Sequence, residues 1–466
     1  MIPLSLDEIA RATGGRVHPV DAAPTLVETA VVTDSREVVP GSLYVARNGE
    51  HADGHDYVPN AAAAGAVAAL TAREMSDLPC VVVPDVGDAF AALGRAVVDR
   101  CRAAGGLKIV GITGSSGKTS TKDVMAQVIG ELGRTLAPQA SYNSEVGVPL
   151  TVCRLQPETE YLVAEMGASG IGHIEYLTRI APPDVAVVLN IGSAHLGEFG
   201  SREAIADTKA ALVRALSSEG LAVLNADDPM VSAMAHQSAA RVVLVGRGAA
   251  AQVRADQVVL NGAGQASFTL TLPGQEPVQV DLALHGEHHV GNALAVAAVA
   301  DFWGMTAPDI AAALSGALAQ SRWRMEVTQR SDGVTIVNDA YNANPESMRA
   351  ALRALSAMRA GGRTVAVIGE MRELGANSDL EHERVGQYAA ELGVDQLVAI
   401  GSGATGAVRA FIAAVPDGGL QIDSVDEAQP VLEGFLAHGD VVLLKSSRDS
   451  GLRHLGDALA SEGDRA

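Results

Sequence analysis

The stretch Gly111-Ile-Thr-Gly-Ser-Ser-Gly-Lys-Thr-Ser-Thr121 separates two segments of different pattern. Residues 107–110 before it form a short apolar run, and residues 122–133 after it have helical periodicity. A strand, a glycine-rich loop and a helix in this order are typical of a phosphate-binding loop, in which backbone N–H groups and the helix N-terminus meet phosphate oxygens. The stretch therefore predicts an α/β domain built around a nucleotide.

Two side chains of this loop carry specific chemistry. Lys118 is expected to reach the β- and γ-phosphates, and Thr119 to place its hydroxyl on Mg²⁺. The strict pattern has glycine at position 112, where this chain has Ile112, so the loop is a variant. An ordinary tight turn is the alternative, and a site for ATP or GTP is the working hypothesis.

Composition limits the function classes. The chain has 466 residues, 48% hydrophobic and 3% aromatic, and 49 glycines, which fits an α/β protein of two to four domains. Its formal net charge of −21 argues against a nucleic-acid or anionic-membrane surface, since such surfaces need clustered Lys and Arg. Three widely spaced cysteines indicate buried core residues in a reducing cytosol.

The N-terminus carries acidic residues where a signal peptide needs basic ones, and no apolar run approaches the ~18 residues of a membrane helix. We therefore expect a soluble, cytoplasmic protein without membrane insertion.

Three domains are predicted. Gly105-Gly106 interrupts the pattern just before the loop, so the first domain is placed at residues 1–105. The second covers residues 106–320, and the third, covering residues 321–466, alternates strands and helices as a Rossmann-like domain does.

The second domain contains signals for both kinds of sheet. Continuous apolar runs at 161–164 and 185–189 predict buried parallel strands, and each is followed by a polar residue, Glu165 and Asn190. Ligands bind beyond the carboxyl ends of parallel strands, so both residues are expected to face the loop. Alternating patterns between residues 251 and 284 predict an antiparallel β insertion.

Several polar residues have both a functional and a structural interpretation. Glu165 is a candidate Mg²⁺ ligand or a surface carboxylate, and His195 follows a buried strand but is otherwise a lone histidine. Residues 338–345 hold three amides and a carboxylate between a strand and a helix, where an Asx turn with an N-cap is the plainer explanation.

These motifs together resemble the Mur ligases, in order and over nearly the whole chain. The matching segments are Thr113-Gly-Ser-Ser-Gly-Lys-Thr119, Asn143-Ser-Glu-Val-Gly-Val-Pro149, Ala164-Glu-Met-Gly-Ala168, Asn190-Ile-Gly-Ser-Ala-His195, Asn292-Ala-Leu-Ala295, Arg324-Met-Glu326 and Asp339-Ala-Tyr-Asn-Ala-Asn-Pro345. The last segment is similar to the branch of the family that adds D-alanyl-D-alanine.

The resemblance implies roles residue by residue. Implied catalytic residues are Lys118, Lys209, His195 and Glu165. Implied ATP-binding residues are Gly114, Ser115, Ser116, Gly117, Lys118, Thr119, Ser120, Asn143, Asn292, Arg324 and Asp339. Implied metal ligands are Thr119, Glu165, His195 and Lys209, the last as a carbamate, although its place in a helix alone predicts a solvated side chain. Implied substrate-binding residues are Ser35, Arg36, Asn342 and Asn344.

The resemblance also implies a reaction. ATP and Mg²⁺ would activate the terminal carboxylate of UDP-N-acetylmuramoyl-tripeptide, and D-alanyl-D-alanine would attack the acyl phosphate, giving a precursor of peptidoglycan. A monomer is expected. Two alternatives stay open: another Mur-type or folylpolyglutamate synthetase-like ligase, and a regulatory P-loop NTPase that hydrolyses ATP without joining two substrates.

Overall fold

Three separate sheets organise the molecule into three domains. A computed structural model describes residues 1–49, 52–193, 196–359 and 361–461. One sheet has five strands, the next has nine, and the last has six, in chain order. The α/β class and the three-domain organisation predicted from the sequence are confirmed.

The N-terminal domain has a mixed five-stranded sheet in the order β2-β7-β6-β5-β4, in which only β2 is antiparallel to its neighbour. A separate antiparallel pair joins β1 to β3. The strands are β1 Leu4–Ser5, β2 Arg16–His18, β3 Leu26–Val27, β4 Val31–Val32, β5 Leu43–Val45, β6 Ala68–Thr71 and β7 Cys80–Val82. The helices are α1 Leu6–Thr13, α2 Val58–Ala63 and α3 Val86–Gly105.

The central domain has nine strands in the order β16-β15-β14-β13-β12-β11-β8-β10-β9. Strands β8 to β14 pair in parallel, whereas β14, β15 and β16 form an antiparallel meander, which confirms the predicted β insertion. The strands are β8 Lys108–Thr113, β9 Thr135–Leu136, β10 Tyr161–Glu165, β11 Val185–Val188, β12 Leu221–Asn225, β13 Arg241–Gly246, β14 Val253–Leu260, β15 Gln265–Thr271 and β16 Val278–His285. The helices are α4 Lys118–Gly130, α5 Gly147–Val152, α6 His173–Ile180, α7 Leu196–Phe199, α8 Arg202–Arg214, α9 Pro229–Ser232, α10 His289–Phe302 and α11 Ala307–Gly316.

The C-terminal domain has six strands in the order β17-β18-β22-β19-β20-β21, and only β17 is antiparallel. The strands are β17 Glu326–Gln329, β18 Thr335–Asn338, β19 Thr364–Ile368, β20 Gln396–Ile400, β21 Gly419–Ile422 and β22 Val441–Lys445. The helices are α12 Pro345–Ala357, α13 Ser378–Glu391, α14 Thr405–Ala414, α15 Val425–Phe435 and α16 Leu452–Ser461.

Among the described residues, five apolar cores lie on the faces of these sheets. One core is continuous between the N-terminal domain and one face of the central sheet, because α3 packs against α5 and α6. The opposite face of the central sheet has its own core, formed largely around the buried helix α10. The C-terminal sheet is covered by separate cores on its two faces.

Among the described residues, no helix is long and apolar enough to cross a membrane.

Candidate active site

The glycine-rich loop connects β8 to α4, as the sequence predicts. Gly117 is the N-cap of α4 with φ of +80°, and no side chain caps the N–H groups of the first turn. A Cβ atom at Gly117 would lie 3.0 Å from the side-chain oxygen of Asn292, so both the backbone angle and the space require glycine here. The uncapped N-terminus of α4 is thus left to bind an anion.

Asn190, at the end of the neighbouring strand, holds the start of the loop. The N–H of Ser116 donates to Asn190 Oδ1 (2.9 Å), and the N–H of Ser115 donates to the Asn190 carbonyl (3.1 Å). Asn190 Nδ2 donates in return to the Ser116 carbonyl. The prediction that Asn190 faces the loop is confirmed, and two N–H groups of the predicted phosphate cradle are already bound to it.

Oxygen atoms gather beside Thr119. Its hydroxyl donates to Glu165 Oε2 (2.9 Å) and lies 2.8 Å from the hydroxyl of Ser141. Asn143 Nδ2 donates to the other carboxylate oxygen of Glu165 (2.6 Å). Glu165 is only 1% exposed, so its interpretation as a surface carboxylate is wrong. Hydroxyl and carboxylate oxygens are the ligands that Mg²⁺ prefers, so this cluster fits the ion.

The structure does not test the complete set of predicted metal ligands. In the parts of the chain that the structure describes, no group of three or more His, Cys, Asp or Glu residues could hold a metal ion. His195, one of the four predicted ligands, lies outside the described residues. The set of Thr119, Glu165, His195 and Lys209 therefore stays a prediction.

Lys209 is buried, contrary to the solvated side chain expected from its place in a helix. It is 4% exposed, because the helical repeat of α8 places it on the same face as the buried Ile205 and Leu212. Burial, and then the positive charge of Lys118, lower the pKa of Lys209 to about 7. At neutral pH this amine is therefore partly unprotonated. The neutral amine is the form that reacts as a nucleophile.

Lys118 points back over the loop. Its Nζ donates to the Gly114 carbonyl (2.7 Å). Burial lowers the pKa of Lys118 and the charge of Arg324 adds to this effect, while the carboxylate of Glu165 opposes it. A bound phosphate would favour the charged form of Lys118, because opposite charges attract strongly where water is excluded.

The C-terminal domain forms the opposite wall of the cavity. Lys445, 2% exposed, pairs with Asp339 (Nζ to Oδ2, 2.6 Å) and donates to the Asn342 carbonyl (3.0 Å). The guanidinium of Arg324 donates to the hydroxyl of Ser141 (2.8 Å) and stacks 4.3 Å from the ring centroid of Tyr341. Arg324 and Asp339, from the third domain, thus line the same cavity as the phosphate loop, and their contact with the nucleotide stays a prediction.

Two contacts join the third domain directly to the loop region. Asn344 Nδ2 donates to the Ser115 carbonyl (3.2 Å), and the N–H and hydroxyl of Ser193 donate to Glu346 Oε1 (3.1 Å each). Gly192 allows this approach, since a Cβ there would lie 2.7 Å from the Glu346 carboxylate. The central and C-terminal domains are therefore in direct contact beside the phosphate loop.

Asn344 also caps helix α12. Its side-chain oxygen accepts the N–H of Ser347 (2.8 Å), which confirms the N-cap interpretation. Both polar atoms of its amide are thereby bonded within the protein. A substrate contact by Asn344 stays a prediction.

A cavity of about 480 Å³ lies between these walls, a volume suited to a small ligand. Asn292 and His288 line it, and neither Asn292 Nδ2 nor His288 Nδ1 has a hydrogen-bond partner among the described residues. Burial lowers the pKa of His288 to about 4, so the ring is neutral. Buried unpaired polar atoms are rare in proteins, and here they fit a bound heterocycle such as a nucleotide base.

Known proteins are similar to this chain over nearly its whole length. Models of the Mur ligase family match it three times: the family's catalytic domain at residues 29–95, the Mur ligase middle domain at 112–300, and the glutamate ligase domain at 323–448. The UDP-N-acetylmuramoyl-tripeptide–D-alanyl-D-alanine ligase of Mycobacterium tuberculosis H37Rv is 45% identical, over 99% of this chain and 98% of its own length. The chain belongs to the Mur ligase family.

Solved structures support the same relationship. A crystal structure of MurF from Acinetobacter baumannii is 31% identical with a TM-score of 0.89, covering 98% of this Mur ligase and 99% of that chain. MurF from Thermotoga maritima in complex with ADP is 29% identical with a TM-score of 0.81, covering 94% and 99%. A folylpolyglutamate synthase of M. tuberculosis, at 17% identity and a TM-score of 0.62, shares only the fold.

Ser35 and Arg36 lie apart from this cavity in the Mur ligase. They belong to the N-terminal domain, where the exposed Arg36 forks onto Asp34 (Nε to Oδ1, 2.9 Å). Arg36 lowers the pKa of Asp34 to about 2 by hydrogen bonding. Neither residue is in the described wall of the cavity, and their role in substrate binding stays a prediction.

Ser141, like His288, is a residue of this site that the sequence did not indicate. Its hydroxyl lies between Thr119 and Arg324, two residues from different domains that are predicted to bind ATP. A serine in an irregular loop carries no periodic or spacing signal. The position adjoins the Asn143 motif, and that proximity is the sole hint in the sequence.

Proposed function

We propose that the chain is an ATP-dependent ligase that joins D-alanyl-D-alanine to UDP-N-acetylmuramoyl-tripeptide, a step of peptidoglycan synthesis. Full-length similarity to ligases of this name carries the proposal, and the cavity between the phosphate loop and the third domain agrees with it. We place the nucleotide-peptide in the domain of residues 1–105, ATP in residues 106–320 and the dipeptide against residues 321–466.

The first step activates the carboxylate. An oxygen of the terminal carboxylate attacks the γ-phosphorus of ATP, the bond between that phosphorus and the β–γ bridging oxygen breaks, and ADP leaves. Lys118 and the N–H groups at the start of α4 stabilise the phosphate charge as it moves. Activation is needed because an ionised carboxylate resists nucleophiles.

The second step forms the amide. The neutral amine of D-alanyl-D-alanine attacks the carbonyl carbon of the acyl phosphate, a C–N bond forms and the amine loses a proton. The C–O bond to phosphate then breaks and phosphate leaves. Contacts such as Asn344 to Ser115 close the cavity and exclude water, which would otherwise hydrolyse the acyl phosphate.

Thr119, Glu165, His195 and a carbamate of Lys209 would hold Mg²⁺ at this site. The ion supplies charge neutralisation for the transferred phosphoryl group. Lys209 suits carbamate formation because its pKa of about 7 leaves a neutral amine. That nitrogen attacks the carbon of CO₂ and releases one proton, and the two oxygens of the carbamate are potential metal ligands.

Other residues complete the substrate sites. Asn292 and His288 would contact the base, and Asn143, Arg324 and Asp339 the rest of the nucleotide. Asn342 would contact the dipeptide. We propose that the enzyme acts as a monomer, and that it acts in the cytoplasm, where the ATP that the reaction consumes is available.

The decisive test measures phosphate release from ATP with UDP-N-acetylmuramoyl-tripeptide and D-alanyl-D-alanine, supplied together and separately. We expect release with both substrates, accompanied by the pentapeptide product, and none with either alone. Release that does not depend on the dipeptide would favour a regulatory NTPase, and a preference for another amine would favour a different ligase. Lys118→Ala is the control variant, expected to fold and to have no measurable turnover.

A further inference from the structure

Two loops meet at the contact between Arg324 and Ser141. One is the linker of residues 317–325 between α11 and β17, and the other is residues 137–141 after β9. Non-glycine residues with left-handed backbone angles occur in both: Ala140 (φ +48°), Trp323 (φ +59°) and Met325 (φ +51°). Such angles persist only where surrounding contacts hold the backbone in place.

One helix contacts both loops, in addition to the bonds that Trp323 makes to Glu326 and Asp457. On the second turn of α4, Lys122 and Asp123 form an ion pair (Nζ to Oδ1, 2.5 Å) whose side chains are 4% and 7% exposed. Lys122 Nζ donates to the Pro138 carbonyl of the first loop (3.1 Å). Asp123 Oδ2 accepts the N–H of Ser321 in the linker (3.1 Å).

Gln127, one turn further along α4, adds a second attachment to the linker. Its amide accepts the N–H of Leu318 (3.0 Å) and donates to the Leu318 carbonyl (2.9 Å), as a neighbouring β-strand would. The same amide nitrogen also donates to the Asp123 carbonyl (2.9 Å). The linker is therefore fixed to α4 on both sides of residues 319–320.

We propose that Lys122, Asp123 and Gln127 are positioning residues that hold Arg324 at the nucleotide site. Through Lys122, the buried ion pair fixes the loop that carries Ser141. Through Asp123, it fixes the linker that carries Arg324. The helix that begins at the phosphate loop thus sets where the third domain's arginine meets Ser141, whose hydroxyl also contacts Thr119. This inference rests on the proposed function, in which Arg324 contacts ATP.

The test is a double-mutant cycle on ATP binding, measured by calorimetry with the full chain and without the other substrates. Arg324→Ala and Asp123→Asn are each expected to weaken ATP binding about tenfold. A loss of this size is typical when residues of one network are removed. Because Asp123 acts through Arg324, the double variant should bind ATP no more than about twofold more weakly than Arg324→Ala alone. Multiplicative losses in the double variant would overturn the proposal.

Asp440→Asn is the matched control. Asp440 is 2% exposed and pairs with Arg363 (2.6 Å) in the C-terminal sheet, away from the linker. The variant also removes a buried carboxylate from an ion pair, yet ATP affinity should stay within about twofold of the wild type. An equal loss in Asp440→Asn would mean that Asp123→Asn acts through general destabilisation, which would overturn the proposal.

Gln127→Ala keeps the test decisive if Asp123→Asn does not fold, because Gln127 is half-buried and carries no charge. The chain has two tryptophans, so in a Trp303→Phe background Trp323 alone reports on the linker. We expect Gln127→Ala to increase quenching of Trp323 by acrylamide and to weaken ATP binding about threefold. Unchanged quenching together with unchanged ATP affinity would overturn the proposal.

The two proposals fail differently. Wild-type protein that binds ATP but forms no pentapeptide would contradict the proposed function and leave the cycle interpretable. Independent effects of Asp123 and Arg324 in a competent ligase would contradict the positioning role alone.

Discussion

Two buried lysines face the same cavity from opposite walls, and their surroundings differ. Lys445, from the C-terminal domain, has the Asp339 carboxylate at 2.6 Å and two backbone carbonyls within 3.3 Å. Lys209, from the central domain, has no carboxylate within ion-pair distance among the described residues, and burial lowers its pKa to about 7.

This difference separates a structural cation from a reactive amine. The Lys445 side chain, with a carboxylate and carbonyls around it, joins β22 to the segment after β18. A buried lysine without such partners loses its proton more easily and becomes a nucleophile at neutral pH. Burial alone therefore does not define the role of a lysine, whereas its partners do.

The largest expected effect follows from removing the partner of Lys445. Asp339→Ala leaves a buried unpaired charge and should lower the free energy of unfolding of the C-terminal domain by about 3–5 kcal/mol. Urea denaturation measures this loss. The double variant Asp339→Ala/Lys445→Met removes both charges and should recover most of the lost free energy of unfolding. If Asp339→Ala is as stable as the wild type, Lys445 does not differ from Lys209 in depending on a partner.

Removing the reactive amine should affect catalysis instead. Lys209→Ala is expected to lower kcat roughly 10²–10³-fold, the usual cost of losing one group that stabilises charge in the transition state. Short carboxylates such as acetate, added to the assay, should restore part of the activity by replacing the carbamate oxygens. Full activity of Lys209→Ala without added acid would contradict the role of Lys209 in metal binding.

The pKa of Lys209 predicts a pH dependence of stability. Between about pH 10 and 7 the unfolded chain holds a proton on this residue that the folded chain lacks, so its contribution to stability falls as the pH falls. In CO₂-free buffer, the wild type should lose about 1.4 kcal/mol per pH unit relative to Lys209→Met, with no further loss below pH 7. A constant difference between the two proteins from about pH 9 to 7 would show that Lys209 stays charged.

The smallest expected loss of stability concerns Asn344, which lies on the same wall of the cavity as Lys445. It tests whether Asn344 also has a structural role. Asn344→Ala removes the N-cap of α12 and should cost about 1 kcal/mol of stability. Asn344→Asp preserves the cap but loses the donor to Ser115, so stability should stay within about 0.5 kcal/mol of the wild type. If the KM for D-alanyl-D-alanine rises in both variants, Asn344 also serves the substrate.

The features that were predictable from the sequence have local signals. The phosphate loop follows from glycine spacing and the change of period around it. Glu165 and Asn190 are each preceded by a continuous apolar run, and the β insertion shows strict alternation. Parallel strands end at a common edge, so the place of both polar residues beside the loop also follows.

Other features depend on contacts distant in the sequence. Lys209 is a polar residue in a helix, and the face on which it lies is buried only by tertiary contacts. Residues 25–33 do not form one continuous strand: β3 pairs with β1 and β4 pairs with β5, so the chain passes from one sheet to another at residues 28–30. The left-handed angles at Trp323 and Met325 have no sequence signal, since neither residue is glycine.

The distribution of the apolar cores has a consequence for folding cooperativity. The N-terminal and central domains share one continuous core through α3, whereas the described residues in the two cores of the C-terminal sheet all come from the C-terminal domain. Heating should therefore melt the first two domains as a single unit, with the third free to melt in a separate transition. The joint that moves most easily between domains is thus also the one at which nucleotide and dipeptide would meet.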